Sequence, residues 1–237
     1  MLGNFITIDG VSSRTLGLFC KQLPMFPVAV QGYNTFTVGG RLDTLYQAAN
    51  HYNDFQIDIE AVLIGFNVDP VIRWIQSGKK LVLSNQPDRY AEIKQLVAVD
   101  QKRVGNGALD LKITLKCGPF KYRLENSATQ YASSPATFKT IGTFFSEPLI
   151  VAQGCSDGFT MSVNRTAIST SGLTGDIYFD IPNRVVYQIE NSVKTVVLDH
   201  TSGRLWDIVL VPSELEDNAI LFTGATKIVV TANERWL

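Results

Sequence analysis

The sequence predicts a mainly β protein in two parts: an N-terminal β-sandwich-like domain with one short helix and a long β-hairpin, and a C-terminal antiparallel β-sandwich. Three observations lead to this prediction. Apolar and polar residues alternate over long stretches, one segment has helical spacing, and short apolar stretches between turn residues fill the C-terminal part. A chain of 237 residues has room for two small domains of this kind.

The clearest alternation lies in Asp110–Cys117, where every second residue is apolar and the others are polar. The residues predicted to face inward are Leu111, Ile113, Leu115 and Cys117. Gln56–Ile64 alternates in the same way and is predicted to be another half-buried strand. Ala91–Val104 is also strand-like, and Gly105-Asn106-Gly107 joins it to the strand that follows. These two strands therefore predict a long β-hairpin with a glycine-bearing turn.

One segment, Asp69–Ser77, has helical spacing instead. It opens with an Asp-Pro pair suited to a helix N-terminus, and Val71, Trp74 and Ile75 fall at positions i, i+3 and i+4. Gly78 follows where a helix commonly ends. We expect a short amphipathic helix with its apolar face on a sheet.

The polar stretch Leu124–Pro135 is short of bulky aliphatic residues and ends in proline, which predicts a linker. The expected domains are residues 1–130 and 135–237. Closely spaced short strands after the linker favour an antiparallel sandwich. The predicted strands are Thr137–Ile141, Leu149–Gln153, Phe159–Val163, Asp176–Asp180, Arg184–Ile189, Thr195–Leu198, Leu205–Val211, Ala219–Thr223 and Lys227–Thr231.

Charge and cysteine content exclude several classes of protein. Lys and Arg number 21 against 22 Asp and Glu, so no basic excess exists to neutralise phosphates, and we expect no specific nucleic-acid binding. Cys20, Cys117 and Cys155 are odd in number and far apart, without a C-x-x-C motif. This predicts buried free thiols in a chain folded in a reducing compartment, without a disulfide framework or a zinc site.

The start of the chain, MLGNFITIDG, lacks the basic and apolar regions of a signal peptide. No apolar stretch approaches the roughly 18 residues of a membrane span. We therefore expect a soluble, non-secreted chain without membrane contact.

Candidate catalytic groups are few. His51 and His200 are the two histidines of the chain, too few for a poly-histidine metal site. Asp199 precedes His200 directly, and adjacent residues of an extended chain point to opposite faces, so the pair is not predicted to form a catalytic triad. Asp58 and Glu60 share one strand face about 6–7 Å apart, a spacing compatible with two-carboxylate catalysis, although a solvated sheet face explains them more simply.

The other motifs of the sequence do not predict a phosphate, calcium or sugar site either. The glycine-bearing segments Val38–Arg41 and Ser77–Lys80 match no phosphate-binding loop. Asp176 and Asp180 lack the dense oxygen-ligand pattern of a calcium loop. Two tryptophans, Trp206 and Trp236, suit sugar stacking but are more typical of a sandwich core or rim. We therefore predict no catalytic residue, metal ligand or cofactor, and we predict a binding or structural protein rather than an enzyme; the interface residues stay unassigned.

Four segments of the first half carry motifs in a recognisable order. They are Phe5–Gly17 (F-x-x-x-x-G-x-x-S-x-x-x-G), Val38–Asp43 (V-x-G-R-x-G, with Asp43 where Gly is common), Ile72–Tyr90 (a helix, a strand and a D-x-Y run) and Leu115–Tyr122 (F-x-C-x-P-F-x-Y). In this order they resemble the distal tail protein (Dit) family of phages with long non-contractile tails, most of which infect Gram-positive bacteria.

The second half is similar to the galectin-like domain of the same family. The similarity lies at Ser134-Pro135, at Asp180 after a predicted strand, at Val185–Tyr187 and at the terminal Arg235-Trp236. The clustered sugar ligands of galectins do not line up with this sequence. The galectin-like resemblance therefore does not imply sugar binding.

The resemblance implies a structural virion protein that acts as baseplate hub at the bacteriophage tail tip, without catalysis or cofactor. Residues 1–130 would form a homo-hexameric ring through which the genome passes, and residues 135–237 would lie outside it. The implied partners are copies of the chain, the tail tube protein, tail-associated or baseplate proteins and a receptor-binding protein. The implied location is the virion, after assembly in the cytoplasm of the bacterial host.

Two other classes of function stay open on the residues alone. The C-terminal sandwich could be a carbohydrate-binding module that recognises host cell-wall saccharide. Asp58 with Glu60 could belong to a glycosidase acting on wall polysaccharide.

Overall fold

The computed structural model describes residues 3–37, 39, 43 and 45–237, which form two compact units. The first unit extends to Leu124 and the second covers Glu125–Trp236. Most of the Val38–Asp43 motif, namely residues 38 and 40–42, lies outside the described residues. The fold is mainly β, as predicted, and the described part contains one α-helix.

Nine strands of the first unit are described. They are β1 (Ile6–Ile8), β2 (Val11–Ser12), β3 (Leu18–Gln22), β4 (Val30–Phe36), β5 (Leu45–Asn53), β6 (Phe55–Ile64), β7 (Lys80–Leu83), β8 (Gln86–Val104) and β9 (Ala108–Arg123). Seven of them form one antiparallel sheet in the order β2-β1-β7-β8-β9-β6-β3. The long hairpin predicted from the alternation is β8–β9, with strands of 19 and 16 residues.

The core of the first unit lies on one face of this sheet. The residues of β6 and β9 predicted to face inward are buried there. In β6 they are Ile57, Ile59, Ala61 and Leu63, and in β9 they are Leu111, Ile113, Leu115 and Cys117. The two strands pair in register over ten residues, from Phe55 opposite Cys117 to Ile64 opposite Ala108. The period-two pattern therefore predicted this part of the fold correctly.

The helix α1 (Asp69–Ser77) has the predicted bounds and buries Val71 and Ile75 in the same core, with Trp74 half-buried beside them. The residues at the two ends of the helix differ from those predicted to cap it. The N-cap residue is Val68 rather than Asp69. Gly78 has an extended backbone, and a Cβ atom at this position would collide with the Ile8 side chain, so close packing rather than helix termination requires glycine here.

The second unit is an antiparallel sandwich, as predicted. One sheet has the order β10-β20-β12-β15-β16-β17 and the other the order β11-β19-β13-β14-β18. The strands are β10 (Ala128–Tyr131), β11 (Ala136–Phe138), β12 (Leu149–Cys155), β13 (Thr160–Val163), β14 (Thr166–Thr170), β15 (Gly175–Asp180), β16 (Val185–Glu190), β17 (Val193–Val196), β18 (Thr201–Gly203), β19 (Asn218–Thr223) and β20 (Lys227–Thr231), followed by the terminal β21 (Arg235–Trp236). Buried residues of both sheets form one core, in which Phe159 and Phe179 lie 6.0 Å apart between ring centroids.

The structure corrects two local expectations in the second unit. The polar stretch interpreted as a linker contains β10, which pairs with β20 at the sheet edge; Tyr131 is its large inward residue and stacks on Phe138 at 5.3 Å. An edge strand needs few apolar side chains, which explains the polar composition. Leu205–Val211 was predicted as a strand, but it begins as a 3-10 helix over Leu205–Asp207 and then forms a single bridge between Leu210 and Ser146.

Short 3-10 helices also occupy Ser13–Leu16 and Leu198–His200. The first ends at Gly17, whose φ of +71° is a left-handed conformation that suits glycine. No helix within the described residues is long and apolar enough to span a membrane.

The packing of α1 yields a stability prediction. Ile75→Ala should lower the free energy of unfolding of the protein by about 2–5 kcal/mol, because Ile75 is fully buried and the truncation leaves a cavity. The neighbouring Gln76→Ala is the control, since Gln76 is exposed. Urea denaturation followed by tryptophan fluorescence measures both, and a loss below about 1 kcal/mol for Ile75→Ala would contradict the packing.

Candidate self-assembly interface

Strands β4 and β5 form a two-stranded hairpin that is separate from the large sheet of the first unit. We call this hairpin the arm. Thr35 lies opposite Tyr46 and Tyr33 opposite Ala48, while Phe36 lies opposite Leu45. Because side chains alternate along a strand, Tyr33 and Tyr46 share one face of the arm and Phe36 and Leu45 share the other.

Both faces of the arm are open to solvent in the isolated chain. The exposed fractions are 57% for Tyr33 and 71% for Tyr46 on one face, and 48% for Phe36 and 36% for Leu45 on the other. A lone two-stranded hairpin is marginally stable in water, because it buries little apolar surface. The arm therefore has the properties of a segment that another molecule covers.

The composition of the arm supports the same conclusion. Its strands of seven and nine residues contain no Lys, Arg, Asp or Glu. At the whole-chain charged fraction of 18%, about three charged residues would be expected in 16 positions. Strands that stay exposed are commonly protected by charges, above all by lysine, and the arm lacks this protection.

The base of the arm, in contrast, is held firmly on the first unit. Phe26 is 7% exposed, and its backbone N–H donates to Gln86 Oε1 over 2.9 Å. Lys121 is 4% exposed and donates from Nζ to the carbonyl oxygen of Pro27 over 3.0 Å. Burial lowers the pKa of Lys121, and the nearby Arg89 lowers it further. The arm thus leaves the unit in a defined direction.

A second exposed apolar surface lies at the far end of the large sheet. We call it the apex patch, and it consists of Phe19, Ile64 and Val104, with exposed fractions of 44%, 67% and 46%. Ile64 and Val104 both lie opposite Ala108 in the sheet, so they share a face. The Arg103 guanidinium lies 4.9 Å from the centre of the Phe66 ring.

The solvated face of the same sheet carries paired opposite charges. Asp58 lies there as predicted, 2.8 Å from Lys112 Nζ, and accepts a hydrogen bond from Thr114 Oγ1 over 2.7 Å. The hydrogen bond from Lys112 and then that from Thr114 lower the pKa of Asp58. A general acid of a glycosidase needs a raised pKa, so these contacts do not favour Asp58 as a general acid.

The remaining candidates from the sequence are spread over the second unit. His200 ends a 3-10 helix, with its Nδ1 atom 3.1 Å from the carbonyl oxygen of Ser171. Asp176 accepts a hydrogen bond from the Gly154 backbone N–H at the irregularity in β12, and Asp180 accepts hydrogen bonds from the backbone N–H and the side-chain amide of Asn183 in the turn after β15. No group of three metal-ligating side chains is found among the described residues.

Aromatic residues suited to sugar stacking also contact other side chains of the second unit. Trp206 packs partly against the core of the sandwich. Tyr178 and Tyr187 stack on each other at 4.9 Å, and Lys194 Nζ lies 3.6 Å from the Tyr187 ring centroid. These contacts occupy ring faces that a sugar would need. Binding of cell-wall saccharide stays a prediction without a supporting contact in this unit.

The sequence analysis did not predict the arm, because the alternation of apolar and polar residues in its strands is weak and is interrupted by glycine, asparagine and glutamine. The usable signal was composition: two neighbouring aromatic segments without any charge, in a chain where 18% of the residues are charged. The apex patch was harder to find, since its residues come from three separate stretches of sequence.

Burial of the three thiols predicts low reactivity. Cys20, Cys117 and Cys155 are free and buried, and burial raises the pKa of Cys117 to about 12 and that of Cys155 to about 11. Burial also raises the pKa of Cys20. At pH 8 only a small fraction of each thiol is ionised in the folded protein. Ellman's reagent should therefore react slowly with the native protein, whereas in 6 M guanidinium chloride it should react readily with all three thiols. Rapid reaction of a thiol in the native protein would contradict the burial.

The exposure of the arm predicts a second outcome. Tyr46→Ser should change the free energy of unfolding of the isolated chain by no more than about 0.5 kcal/mol, because Tyr46 contacts mostly water. Phe26→Ala, at the buried base of the arm, should lower it by about 3–5 kcal/mol. Urea denaturation compares the two, and a loss above about 1 kcal/mol for Tyr46→Ser would mean that the arm packs on its own chain.

Comparison with known proteins bears on the fold. No protein-family model matches the chain, and no curated protein matches it. Among solved structures it is similar to SPP1 Dit (gp 19.1), described as a paradigm of the hub adsorption apparatus in phages that infect Gram-positive bacteria. The TM-score is 0.71 at 14% sequence identity, over 99% of both chains. The chain therefore has the fold of the SPP1 Dit protein over almost its whole length, as the motif resemblance predicted.

Proposed function

We propose that this protein is a structural virion protein, the hub of a phage tail tip. The observation that carries the proposal is the match of both units, over 99% of both chains, to the fold of a hub protein. A match to one unit alone would be compatible with many functions, because β-sandwiches are reused widely. The arm and the apex patch add independent support, since both are surfaces of the kind that assembly covers.

In this proposal the first unit forms a homo-hexameric ring around the channel through which the genome passes. The ring joins the tail tube protein on one side to the tail-associated or baseplate proteins on the other. The second unit, a galectin-like domain, lies outside the ring, where it binds a receptor-binding protein. The protein is assembled in the cytoplasm of the bacterial host and resides in the virion.

The charge distribution suits a channel of this kind. The whole chain has a formal net charge of −1. On the solvated face of the large sheet, Lys112 is paired with Asp58, and Lys21 lies 2.7 Å from Asp110. Compensated charges of this kind attract phosphate weakly, so DNA would pass without being held. The same pairing supports a function without catalysis at Asp58, because this carboxylate is already engaged with Lys112.

Mass photometry of the purified protein should show an assembly of six times 26.2 kDa, alone or after addition of its tail partners. Negative-stain images should show a ring with a central channel. A protein that stays monomeric under all these conditions would contradict the hub proposal.

A further inference from the structure

We propose that the open edge of β17 binds an extended strand of a different virion protein, and that this strand continues the six-stranded sheet of the second unit. The inference rests on the proposed function and deepens it, since it names where and how the second unit holds a partner. The strand that fits carries an apolar residue and an acidic residue two positions apart.

Strand β17 is the last strand of its sheet and pairs on one side only, with β16. Directly after the strand, the Val197 backbone N–H donates to the carbonyl oxygen of Val186 over 2.9 Å. Because hydrogen-bonded positions alternate along an antiparallel pair, Lys194 and Val196 are the residues of β17 whose backbone faces away from β16. Their N–H and C=O groups are free to pair with a further strand.

The side chains along this edge are apolar and exposed. Val193 is 62% exposed and Val196 is 58% exposed, and Ile189 of β16 is 46% exposed. Strand β10, at the other edge of the same sheet, consists instead of alanine, threonine, glutamine and tyrosine. Lysine commonly protects an exposed edge, but Lys194 Nζ lies 3.6 Å from the Tyr187 ring centroid, over the face of the sheet. The edge of β17 is therefore left open.

The sheet face beside this edge carries a continuous apolar row. Val196 lies opposite Tyr187, and Tyr187 lies opposite Tyr178 and stacks on it. The row continues into the sheet through Val151 and Val229. A side chain of the added strand that lies opposite Val196 would extend this row, so an apolar residue fits there.

Lys194 determines what the partner strand carries two positions away. It shares a sheet face with Val196, because side chains alternate along a strand. Its ammonium group contacts the Tyr187 ring and forms no ion pair within the described part of the chain. Opposite charges stabilise neighbouring strands when they face each other, so an acidic residue fits opposite Lys194.

The same lysine disfavours a second copy of the chain as the occupant. Two β17 strands could pair antiparallel about a two-fold axis, in the register that uses the outward backbone groups of both Lys194 and Val196. The two Lys194 side chains would then be diagonal neighbours on one face, and like charges so placed destabilise a sheet. A two-fold contact of this kind would also join two rings to each other. The edge therefore fits a strand of another protein.

Binding of a short peptide to the full-length protein tests the edge. The probe is a fluorescein-labelled peptide of eight residues, alternating valine and threonine, with one valine replaced by glutamate. Fluorescence anisotropy should show saturable binding. Val196→Pro removes an outward N–H and leaves the hydrogen bonds to β16 in place, so it should weaken binding about tenfold. Val196→Thr keeps this N–H and is the matched control, which should weaken binding less than about threefold.

An exchange of charges tests the chemistry of the partner strand. Lys194→Glu should weaken binding of the glutamate peptide about fivefold, and a peptide with lysine in place of glutamate should restore the affinity. Lys227→Glu, on β20 and away from the edge, is the matched control and should leave binding unchanged. Circular dichroism checks the fold of each variant, and if Val196→Pro unfolds, the charge exchange decides alone.

The inference would be overturned if the wild-type protein bound no peptide, or if Val196→Pro and Lys194→Glu bound it as tightly as the wild type. Paired rings that separate in the Val196→Pro variant, without peptide binding by the wild type, would make a second copy the occupant and would also overturn it. Mass photometry tests the hub proposal separately. A hexamer that binds no peptide contradicts only the inference, whereas a peptide-binding chain that stays monomeric with its tail partners contradicts only the hub proposal.

Discussion

The in-register pairing of β6 with β9 is the constraint on which the first unit depends. Ten consecutive pairs run from Phe55 opposite Cys117 to Ile64 opposite Ala108. A slip of one residue would exchange the two faces of a strand and move Asp58 and Glu60 into the core. Because this register holds, the apolar side chains of both strands meet α1 on one side, and the arm and the apex patch are kept at the two ends.

The two faces of the sheet have different physical functions. The inner face supplies most of the stability, through side chains such as Ile59 and Ile113 that are fully buried. The outer face carries opposite charges in pairs, for example Lys112 with Asp58, which contribute little to stability in water but keep the surface soluble and close to neutral. The sheet thus combines a firmly packed inner face with a charge-compensated outer face.

The exposed part of the arm and its base differ in what they contribute to the stability of the chain. Its exposed residues, such as Tyr46, add little to the folded state of a single copy, because water surrounds them. Its base is fixed by Phe26 and Lys121, which belong to the buried part of the unit. The base of the arm, and not its exposed part, therefore contributes to the stability of a single copy.

The sequence by itself determined the features that depend on local periodicity. The alternation in Asp110–Cys117 and the helical spacing in Asp69–Ser77 correctly predicted a strand and a helix, together with their buried faces, because each pattern reports which side chains share a face. The order of the motifs predicted the Dit-like fold, which periodicity alone does not predict. Local pattern failed at Leu205–Val211, where buried apolar residues sit in a 3-10 helix and a single bridge.

Only the tertiary structure decided where apolar residues meet solvent. Tyr46 and Ile59 both occupy strands, yet one is 71% exposed and the other is fully buried. The difference lies in what packs against each strand, and contacts between distant segments determine that. The apex patch likewise exists because the topology brings Phe19 of β3, Ile64 of β6 and Val104 of β8 to the same end and the same face of the sheet. Burial depends on the whole fold, whereas periodicity depends on neighbours in sequence, so the candidate interface became visible only in three dimensions.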